Sequence, residues 1–329
     1  MQLTITRLTI AYLLSLGILV QFAMAQTTAS SDQSASPPDV KRIVFLGDSI
    51  THAGGYIEAL ETAMLVQYPE RHIEFLNLGL PSETTSGLSE PGHAGGKFPR
   101  PDLHERLERV LDKTKPNLVV ACYGMNCGMY YPLSDDRFAK FKSGIDRLHS
   151  AVEKRGAKII HLTPALFDAV PIRARLLPDG LETYPQPYAG YDDVLEAYST
   201  WLISRKQDGW QVLDVHGAMK RALEKKRESV PEFTFAADGV HPNAEGQAVL
   251  AQPLAVAWGL KLDERALPAH PQAEAILKLV REKQRVLKLA WLTATGHQRP
   301  GIAAGVSIEE AQAIAAGLDA QARNLVSAQ

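Results

Sequence analysis

The stretch RIVFLGDS, residues 42–49, joins a short apolar run to a tight polar turn. Arg42–Leu46 is too short for a buried helix and contains β-branched and aromatic side chains, which predicts a strand. Gly47, Asp48 and Ser49 follow directly. In a parallel sheet, residues that follow a strand lie at the carboxyl edge, where such sheets bind their ligands. The stretch therefore predicts that Ser49 lies in a site at that edge.

Similar apolar runs recur along the chain and alternate with segments whose apolar residues are spaced by three and four. The predicted strands are Arg42–Leu46, His72–Leu76, Asn117–Ala121, Lys158–Leu162 and Gln211–Val215. Leu103–Leu111 and Phe138–Val152 have the helical spacing. This alternation predicts an α/β fold with a parallel sheet of about five strands and helices on both faces, because right-handed crossovers place them there.

The composition is that of an ordinary globular protein, since 45% of the 329 residues are hydrophobic and 22% are charged. Lys and Arg number 35 against 37 Asp and Glu, which gives a net charge of −2. No overall positive field is available for phosphate backbones, so we expect no nucleic-acid partner. Cys122 and Cys127 would close only a very short disulfide loop, which favours free or weakly paired thiols. The sequence requires no metal or cofactor.

The first residues have the features of a secretory signal peptide. Arg7 gives a basic start, an apolar run covers residues 8–20, and Ala23-Met24-Ala25 offers a small-residue cleavage site. We expect a signal peptide over residues 1–25 and a flexible leader over 26–40. An uncleaved membrane anchor is the alternative. With cleavage, the protein is exported to a periplasm or the extracellular space without stable membrane insertion.

The segment Asp238-Gly239-Val240-His241 supplies what a nucleophilic serine needs. A serine hydroxyl needs a base, and an imidazole base needs a carboxylate that fixes its tautomer. Asp238, three residues before His241, can turn back to the Nδ1 of that ring and leave Nε2 for Ser49. The alternative is a turn that caps a helix beginning near Asn243, and both descriptions can hold together.

Three groups can donate hydrogen bonds to an oxyanion. Gly79 follows the second strand, and a residue without Cβ permits close approach to its backbone. Asn126 follows the third strand and offers an uncharged side-chain donor. With the amide of Ser49, these make three donors at one place. The alternatives are a turn glycine and a loop cap.

Two connections, residues 80–101 and 164–191, are long enough to suggest binding loops. The first contains glycines beside cations, and the second contains prolines and tyrosines. A later turn, residues 296–301, interrupts the helical C-terminal part of the chain. Solvated loops and plain packing are the alternatives. The candidate substrate-binding residues from these segments and from the Ser49 turn are His52, Arg100, Tyr188 and His297.

Taken together, these motifs resemble the SGNH hydrolases, also called GDSL esterases and lipases. That family carries Ser in GDS, Gly in a second block, Asn in GxN and His in DxxH. The matching residues here are Ser49, Gly79, Asn126, Asp238 and His241, and the resemblance covers roughly residues 42–260. Where the family often has GxND, this chain has Cys127.

The resemblance implies a three-layer, flavodoxin-like α/β/α fold with a catalytic domain over residues 41–262. Residues 263–329 lie outside the shared blocks and are expected to form a helical extension packed on that domain. The implied activity is that of a Ser-His-Asp acyl hydrolase. With the expected export, we predict an esterase acting on small acyl groups, O-acetyl groups on carbohydrate above all. The alternatives are a lipase, thioesterase or O-acyltransferase that uses the same serine, and an inert carbohydrate-binding protein.

Overall fold

The structure is a computed structural model that describes residues 36–328. Within these residues, five parallel strands form one sheet. Their order is β2-β1-β3-β4-β5. The strands are β1 Arg42–Gly47, β2 Glu74–Asn77, β3 Leu118–Cys122, β4 Lys158–Leu162 and β5 Gln211–Leu213. Since β1 and β3 lie in the middle of the sheet, their apolar side chains are buried almost completely.

Helices cover both faces of the sheet. Their bounds are α1 Ser49–Ala53, α2 Gly55–Gln67, α3 Leu103–Thr114, α4 Asp135–Glu153, α5 Tyr191–Ser204, α6 Val215–Arg227, α7 Ala244–Ala257, α8 Ala273–Thr295 and α9 Ile308–Ser327. The chain moves across the sheet in one direction from β1 to β2 and in the other direction afterwards. Right-handed crossovers therefore place α2 on one face and α3, α4 and α5 on the other. Helix α7 packs on both α2 and α6, which places α6 and α7 on the face of α2. The predicted α/β fold is confirmed.

The predicted strands differ from the observed ones mainly at their ends. The fifth was predicted to run to Val215 but ends at Leu213. The carboxylate of Asp214 accepts a hydrogen bond from Gly217 N at 2.9 Å, so Asp214 caps α6 instead of extending the strand. The signal peptide predicted for residues 1–25, and most of the leader predicted for 26–40, lie outside the described residues.

Helix α8 runs along β2, the edge strand that precedes the Gly79 loop. Gln284 Nε2 donates a hydrogen bond to the carbonyl oxygen of Phe75 at 2.9 Å and another to Glu61 Oε2 at 2.6 Å. Lys283 Nζ, on the same helix, bonds Glu61 at 2.8 Å and Asp319 of α9 at 2.6 Å. These buried contacts fix α8 and α9 on the sheet domain.

Both cysteines lie in the interior of the fold. Cys122 and Cys127 are both buried and free. Cys127 Sγ lies 3.5 Å from Thr85 Oγ1, so it packs inside the fold rather than facing the site edge.

Over residues 36–328, none of the helices is both long enough and apolar enough to cross a membrane.

Candidate active site

Ser49 lies at the carboxyl edge of the sheet, where β1 is followed by α1. The carboxylate of Asp48 caps α1 by accepting a hydrogen bond from Ile50 N at 2.9 Å. Gly47 permits the sharp turn, because a Cβ at this position would lie 2.1 Å from Thr51 Oγ1. Ser49 is thus the first residue of a helix, where its N–H has no intrahelical acceptor.

The structure brings Ser49, His241 and Asp238 together. Ser49 Oγ and His241 Nε2 are 2.8 Å apart, although the two residues are 192 positions apart in sequence. His241 Nδ1 and Asp238 Oδ2 are 2.6 Å apart. The three side chains therefore form one continuous hydrogen-bonded line. In this arrangement an imidazole can remove a proton from a serine hydroxyl while a carboxylate holds the ring.

The loop that carries Asp238 also orients its carboxylate. Asp238 Oδ1 accepts hydrogen bonds from Val240 N at 2.9 Å and from His241 N at 2.8 Å. Partial burial alone would raise the pKa of Asp238, but the hydrogen bonds from His241 and Val240 outweigh it and the pKa is lowered. Asp238 is therefore an ionised partner for the ring. The side chains of His241 and Asp238 are 52% and 48% exposed, so the line opens to solvent.

Asp168, in the long connection after β4, ties down the turn that carries Asp238 and His241. Its N–H donates to the carbonyl oxygen of Gly239 at 2.9 Å. Its carboxylate accepts hydrogen bonds from Arg227 at 2.8 Å and from Thr234 Oγ1 at 2.6 Å. Asp168 was not singled out in the sequence, because its partners are remote along the chain and no local motif marks them.

Gly79 lies beside α1, but its N–H already has an acceptor. It donates to Asn77 Oδ1 at 3.0 Å, while Asn77 Nδ2 donates to Thr51 O at 2.8 Å. A Cβ on Gly79 would lie 2.4 Å from His52 N. We expected glycine here for the approach of a substrate, but the observed reason for it is the close packing of α1 on this loop.

Asn126 is buried, and the oxygen of its side chain is held by two donors. Arg100 Nη1 donates to Asn126 Oδ1 at 2.8 Å, and Tyr130 OH lies 3.3 Å from the same oxygen. Because Oδ1 accepts from a cation, the amide orientation is fixed and Nδ2 must serve as the donor on its other side. Nδ2 lies 3.4 Å from the carbonyl oxygen of Glu83.

Arg100 was predicted to contact substrate, but the structure uses most of its donors within the protein. Besides the bond to Asn126, its guanidinium makes two hydrogen bonds to the carboxylate of Glu90, each 2.7 Å long. The guanidinium also lies over the ring of Tyr130, 5.5 Å from the centroid. Arg100 is only 9% exposed. Its observed contacts are those of a residue that positions Asn126.

A buried ion pair supports both the Gly79 loop and Asn126. Arg106 bonds the carboxylate of Glu83 at 2.6 and 2.8 Å and also donates to the carbonyl oxygen of Leu78 at 2.8 Å. Tyr123 OH donates to the same carboxylate at 2.6 Å. This network was not predicted from the sequence. Arg106 lies on the buried face of the predicted helix, and a charged residue on such a face is the one signal that points to it.

Asp48 is the second carboxylic acid at the site, after Asp238, whose pKa is shifted. It is 2% exposed, and burial raises its pKa from 3.8 to about 6. The hydrogen bond from Ile50 N and the charge of His241 lower the pKa, but they do not offset the burial. Asp48 therefore changes charge near neutral pH, directly beside Ser49.

The three other predicted substrate-binding residues are each held by a hydrogen bond within the protein. His52 is on α1 with Ser49, and its Nδ1 lies 2.9 Å from Gly79 O. Tyr188 N donates to Tyr130 O at 2.9 Å, which links Tyr188 to the Asn126 side of the site. His297 lies in the turn after α8, where its Nδ1 accepts a hydrogen bond from Arg299 N at 3.2 Å.

A different histidine base and a metal site are the two other possibilities for this edge of the sheet. His216 also follows a strand, but its Nε2 lies 3.1 Å from Asp192 Oδ1, and this pair joins α6 to α5. No group of three His, Cys, Asp or Glu side chains is arranged to hold a metal ion in the described part of the chain.

Comparisons with known proteins give the family and the fold. The sequence profile described as the GDSL-like lipase/acylhydrolase family matches residues 45–249. No curated protein matches the chain. Among solved structures, an acetyl-xylooligosaccharide esterase variant from Geobacillus stearothermophilus has a TM-score of 0.50 at 19% identity, covering 69% of this chain and 97% of that one.

A gut microbial diltiazem-metabolizing enzyme also has a TM-score of 0.50 at 19% identity, over 68% of this chain. This chain spans about half of that enzyme, since the match covers 48% of its length. At such identities the likeness shows the fold alone. The family profile, in contrast, covers more than half of the chain and includes Ser49, Gly79, Asn126, Asp238 and His241. The chain therefore belongs to the GDSL-like lipase/acylhydrolase family and is a carboxylic ester hydrolase.

Proposed function

We propose that the protein is an exported acetylesterase in which Ser49 is the nucleophile, His241 the general base and acid, and Asp238 the residue that orients the ring. The observation that carries this proposal is the hydrogen-bonded line, with its distances of 2.8 and 2.6 Å. Ser49 Oγ attacks the ester carbonyl carbon as His241 Nε2 takes the hydroxyl proton. His241 then returns that proton to the leaving alcohol, and an acyl-enzyme remains.

Deacylation uses the same groups in reverse. Water attacks the acyl-enzyme carbonyl while His241 Nε2 accepts a proton from it. The tetrahedral intermediate collapses, the acid leaves, and Ser49 Oγ recovers its proton from His241. Asp238 stabilises the imidazolium at both stages, since its lowered pKa keeps it ionised.

The proposed oxyanion donors are the N–H of Ser49, the Nδ2 of Asn126 and the N–H of Gly79. The Ser49 N–H lies in the first turn of α1 and has no intrahelical acceptor. The orientation of Asn126 supports its role, since Arg100 holds Oδ1 and leaves Nδ2 to donate. The N–H of Gly79 would share its proton between Asn77 Oδ1 and the oxyanion, so we assign it the smallest part of the stabilisation.

A carbohydrate alcohol and a small acyl group fit the exposure of the site. Because His241 and Asp238 are about half exposed, a bulky polar alcohol can remain in solvent while its ester reaches Ser49. The similar structure named as an acetyl-xylooligosaccharide esterase is consistent with this substrate class. Export rests on the signal-peptide features of residues 1–25.

The test is hydrolysis of 4-nitrophenyl esters of increasing acyl length by the wild type and by Ser49→Ala. We expect kcat/KM to be highest for acetate and to fall with chain length, and Ser49→Ala to lose at least about a thousandfold. Ser150→Ala, which removes an exposed hydroxyl on α4, is the matched control. Equal rates for Ser49→Ala and wild type would overturn the nucleophile. A maximum at long acyl chains would indicate a lipase instead.

A further inference from the structure

The turn of residues 296–301 follows the end of α8, which is held against α3 of the sheet domain. Two cations of α3 bind the end of α8: Arg109 Nε donates to Thr295 O at 2.8 Å, and Lys113 Nζ donates to Ala294 O at 2.5 Å. These bonds also neutralise the negative end of the helix dipole. The turn after α8 therefore has a fixed position, although it lies beyond the segment that the family profile matches.

Lys288 of α8 reaches the helix that carries Ser49. Its Nζ donates to the carbonyl oxygen of His52 at 2.6 Å, and His52 lies three residues after Ser49 on the same short helix. Burial lowers the pKa of Lys288, and the one charge found to oppose this in the described residues is Glu58. The carboxylate of Glu58 is already paired with Arg281 at 3.0 Å.

Arg299 also lacks a carboxylate partner among residues 36–328. Its guanidinium lies over the ring of Phe98, 4.4 Å from the centroid, and Nη1 donates only to Pro300 O. Its Nε is buried without an acceptor among residues 36–328. Burial is the sole cause found for the lowered pKa of Arg299.

Contacts connect Arg299 to the Asn126 side of the site. Phe98 packs edge-on against His93, with 5.2 Å between the ring centroids. His93 Nδ1 lies 3.3 Å from Glu90, whose carboxylate binds Arg100. Arg100 in turn binds Asn126, so this series of contacts ends at Asn126. Arg299 is therefore linked by contacts to the loop that supports Asn126, and its charge also acts on His52, in the helix that carries Ser49.

Lys288 and Arg299 differ from the other cations around the site. Arg100 is paired with Glu90, and Arg106 is paired with Glu83. The charges of Lys288 and Arg299, together with His297, act on His52, whose pKa falls to about 4, chiefly through burial. His52 is thus neutral at neutral pH and adds no charge. A partly buried cation without a counter-ion is costly, and a bound anion would remove that cost.

We propose that Lys288 and Arg299 form an anion-binding subsite beside Ser49, and that the protein acts on acetyl esters of acidic carbohydrates. The inference rests on the proposed acetylesterase function. Because an acetyl group carries no charge, the anion must belong to the alcohol part of the substrate. A carboxylate and a sulfate share the chemistry that the subsite recognises, so the experiment includes both.

The first experiment measures kcat/KM for 4-acetoxybenzoate, 4-acetoxybenzenesulfonate and the neutral 4-acetoxybenzamide. For each protein, kcat/KM of an anionic ester is divided by kcat/KM of the neutral ester. This ratio is then compared between wild type and variants, because the comparison cancels leaving-group reactivity. Arg299→Ala should lower the ratio about tenfold, Arg299→Lys should restore most of it, and Arg299→Glu should reverse the preference. The wild-type ratio should fall as salt is added, since salt screens partly exposed charges.

Arg285→Ala is the matched control, because it removes a cation from the exposed face of α8 where Arg285 pairs with Glu282. Its ratio should equal that of the wild type. Equal ratios for Arg299→Ala, Arg299→Glu and wild type would overturn the subsite. A larger effect on the carboxylate or on the sulfonate ester would identify which anion the subsite takes.

A binding measurement separates this inference from the proposed function. D-glucuronate, D-glucose 6-sulfate and D-glucose are titrated into wild type and Arg299→Ala, with binding followed by ligand-observed NMR. Preference of the wild type for an acidic hexose, lost in Arg299→Ala, supports the subsite even if no ester is hydrolysed, in which case only the proposed function fails. Equal binding of all three sugars to wild type overturns the subsite, whatever the esterase activity.

Discussion

Arg100 Nη1 donates a 2.8 Å hydrogen bond to Asn126 Oδ1, so the orientation of one proposed oxyanion donor depends on a cation from another loop. The bond prevents the amide from rotating and draws electron density from Nδ2, which strengthens its N–H as a donor. The carboxylate of Glu90 holds the guanidinium in place.

We therefore expect Arg100→Ala to lower kcat by about tenfold to a hundredfold with little change in KM, somewhat less than direct loss of a donor. A double-mutant cycle with Asn126→Ala measures the coupling. If Arg100 acts through Asn126, its replacement should cost little in the Asn126→Ala background. Full additivity, with a rise in KM, would instead favour the sequence-based prediction that Arg100 contacts substrate.

Asp238→Asn should lower kcat by about a thousandfold or more while the fold is retained. An amide at this position keeps the size of the side chain but favours the wrong tautomer of His241. The measurement is steady-state kinetics together with thermal unfolding, which should be nearly unchanged because Asp238 is half exposed. Wild-type turnover by Asp238→Asn would show that another group orients the ring.

Asp48→Asn should stabilise the protein at alkaline pH. The pKa of this acid is about 6 in the folded chain against 3.8 for the ordinary group, so between these values the folded state holds more protons. The contribution of Asp48 to the free energy of unfolding is therefore lost as pH rises from about 4 to above 6. At pH 8 the amide should raise the free energy of unfolding by up to about 3 kcal/mol, with little effect near pH 4.

Urea unfolding at both pH values checks this expectation for Asp48. Asp102→Asn is the control, because Asp102 also caps a helix but is only partly buried. Its effect should not depend on pH to the same extent. A loss of stability at pH 8 in Asp48→Asn would mean that the buried carboxylate is stabilised by its surroundings.

Asp168→Ala should reduce both stability and activity. The substitution leaves Arg227 without its two-bonded partner, which should cost about 3 kcal/mol in a largely buried pair. It also releases the turn of Asp238 and His241, so kcat should fall. Glu232→Gln, which breaks the exposed pair with Arg173, is the control and should change stability by less than about 0.5 kcal/mol. Equal effects of both variants would contradict the positioning role.

The sequence predicted those parts of the fold that depend on local pattern. The strand that begins at Arg42 and the one at Lys158–Leu162 were found because buried strands are short, apolar and β-branched. Ser49, Asp238 and His241 could be proposed because each follows from a local motif and a chemical need. The distance of 2.8 Å between Ser49 Oγ and His241 Nε2 depends on how the sheet brings the two segments together. No local sequence pattern contains that information.

The supporting residues could not be predicted in the same way. Asp168 meets Arg227 at a separation of 59 residues, and Arg100 meets Asn126 at a separation of 26. Contacts of this kind depend on how loops pack after the sheet has formed. Gly79 shows a related limit: the need for glycine was recognised, but the neighbour that requires it is the backbone of α1.

The bond from Gln284 to the carbonyl of Phe75 has a consequence for the solution behaviour of the protein. An edge strand with unpaired backbone groups is a template onto which another polypeptide can add a strand. Here a side chain of α8 occupies an outward-facing carbonyl of β2, and the helix itself obstructs the approach of a foreign strand. We therefore expect α8 to hinder strand addition at this edge of the sheet, in addition to supplying Lys288.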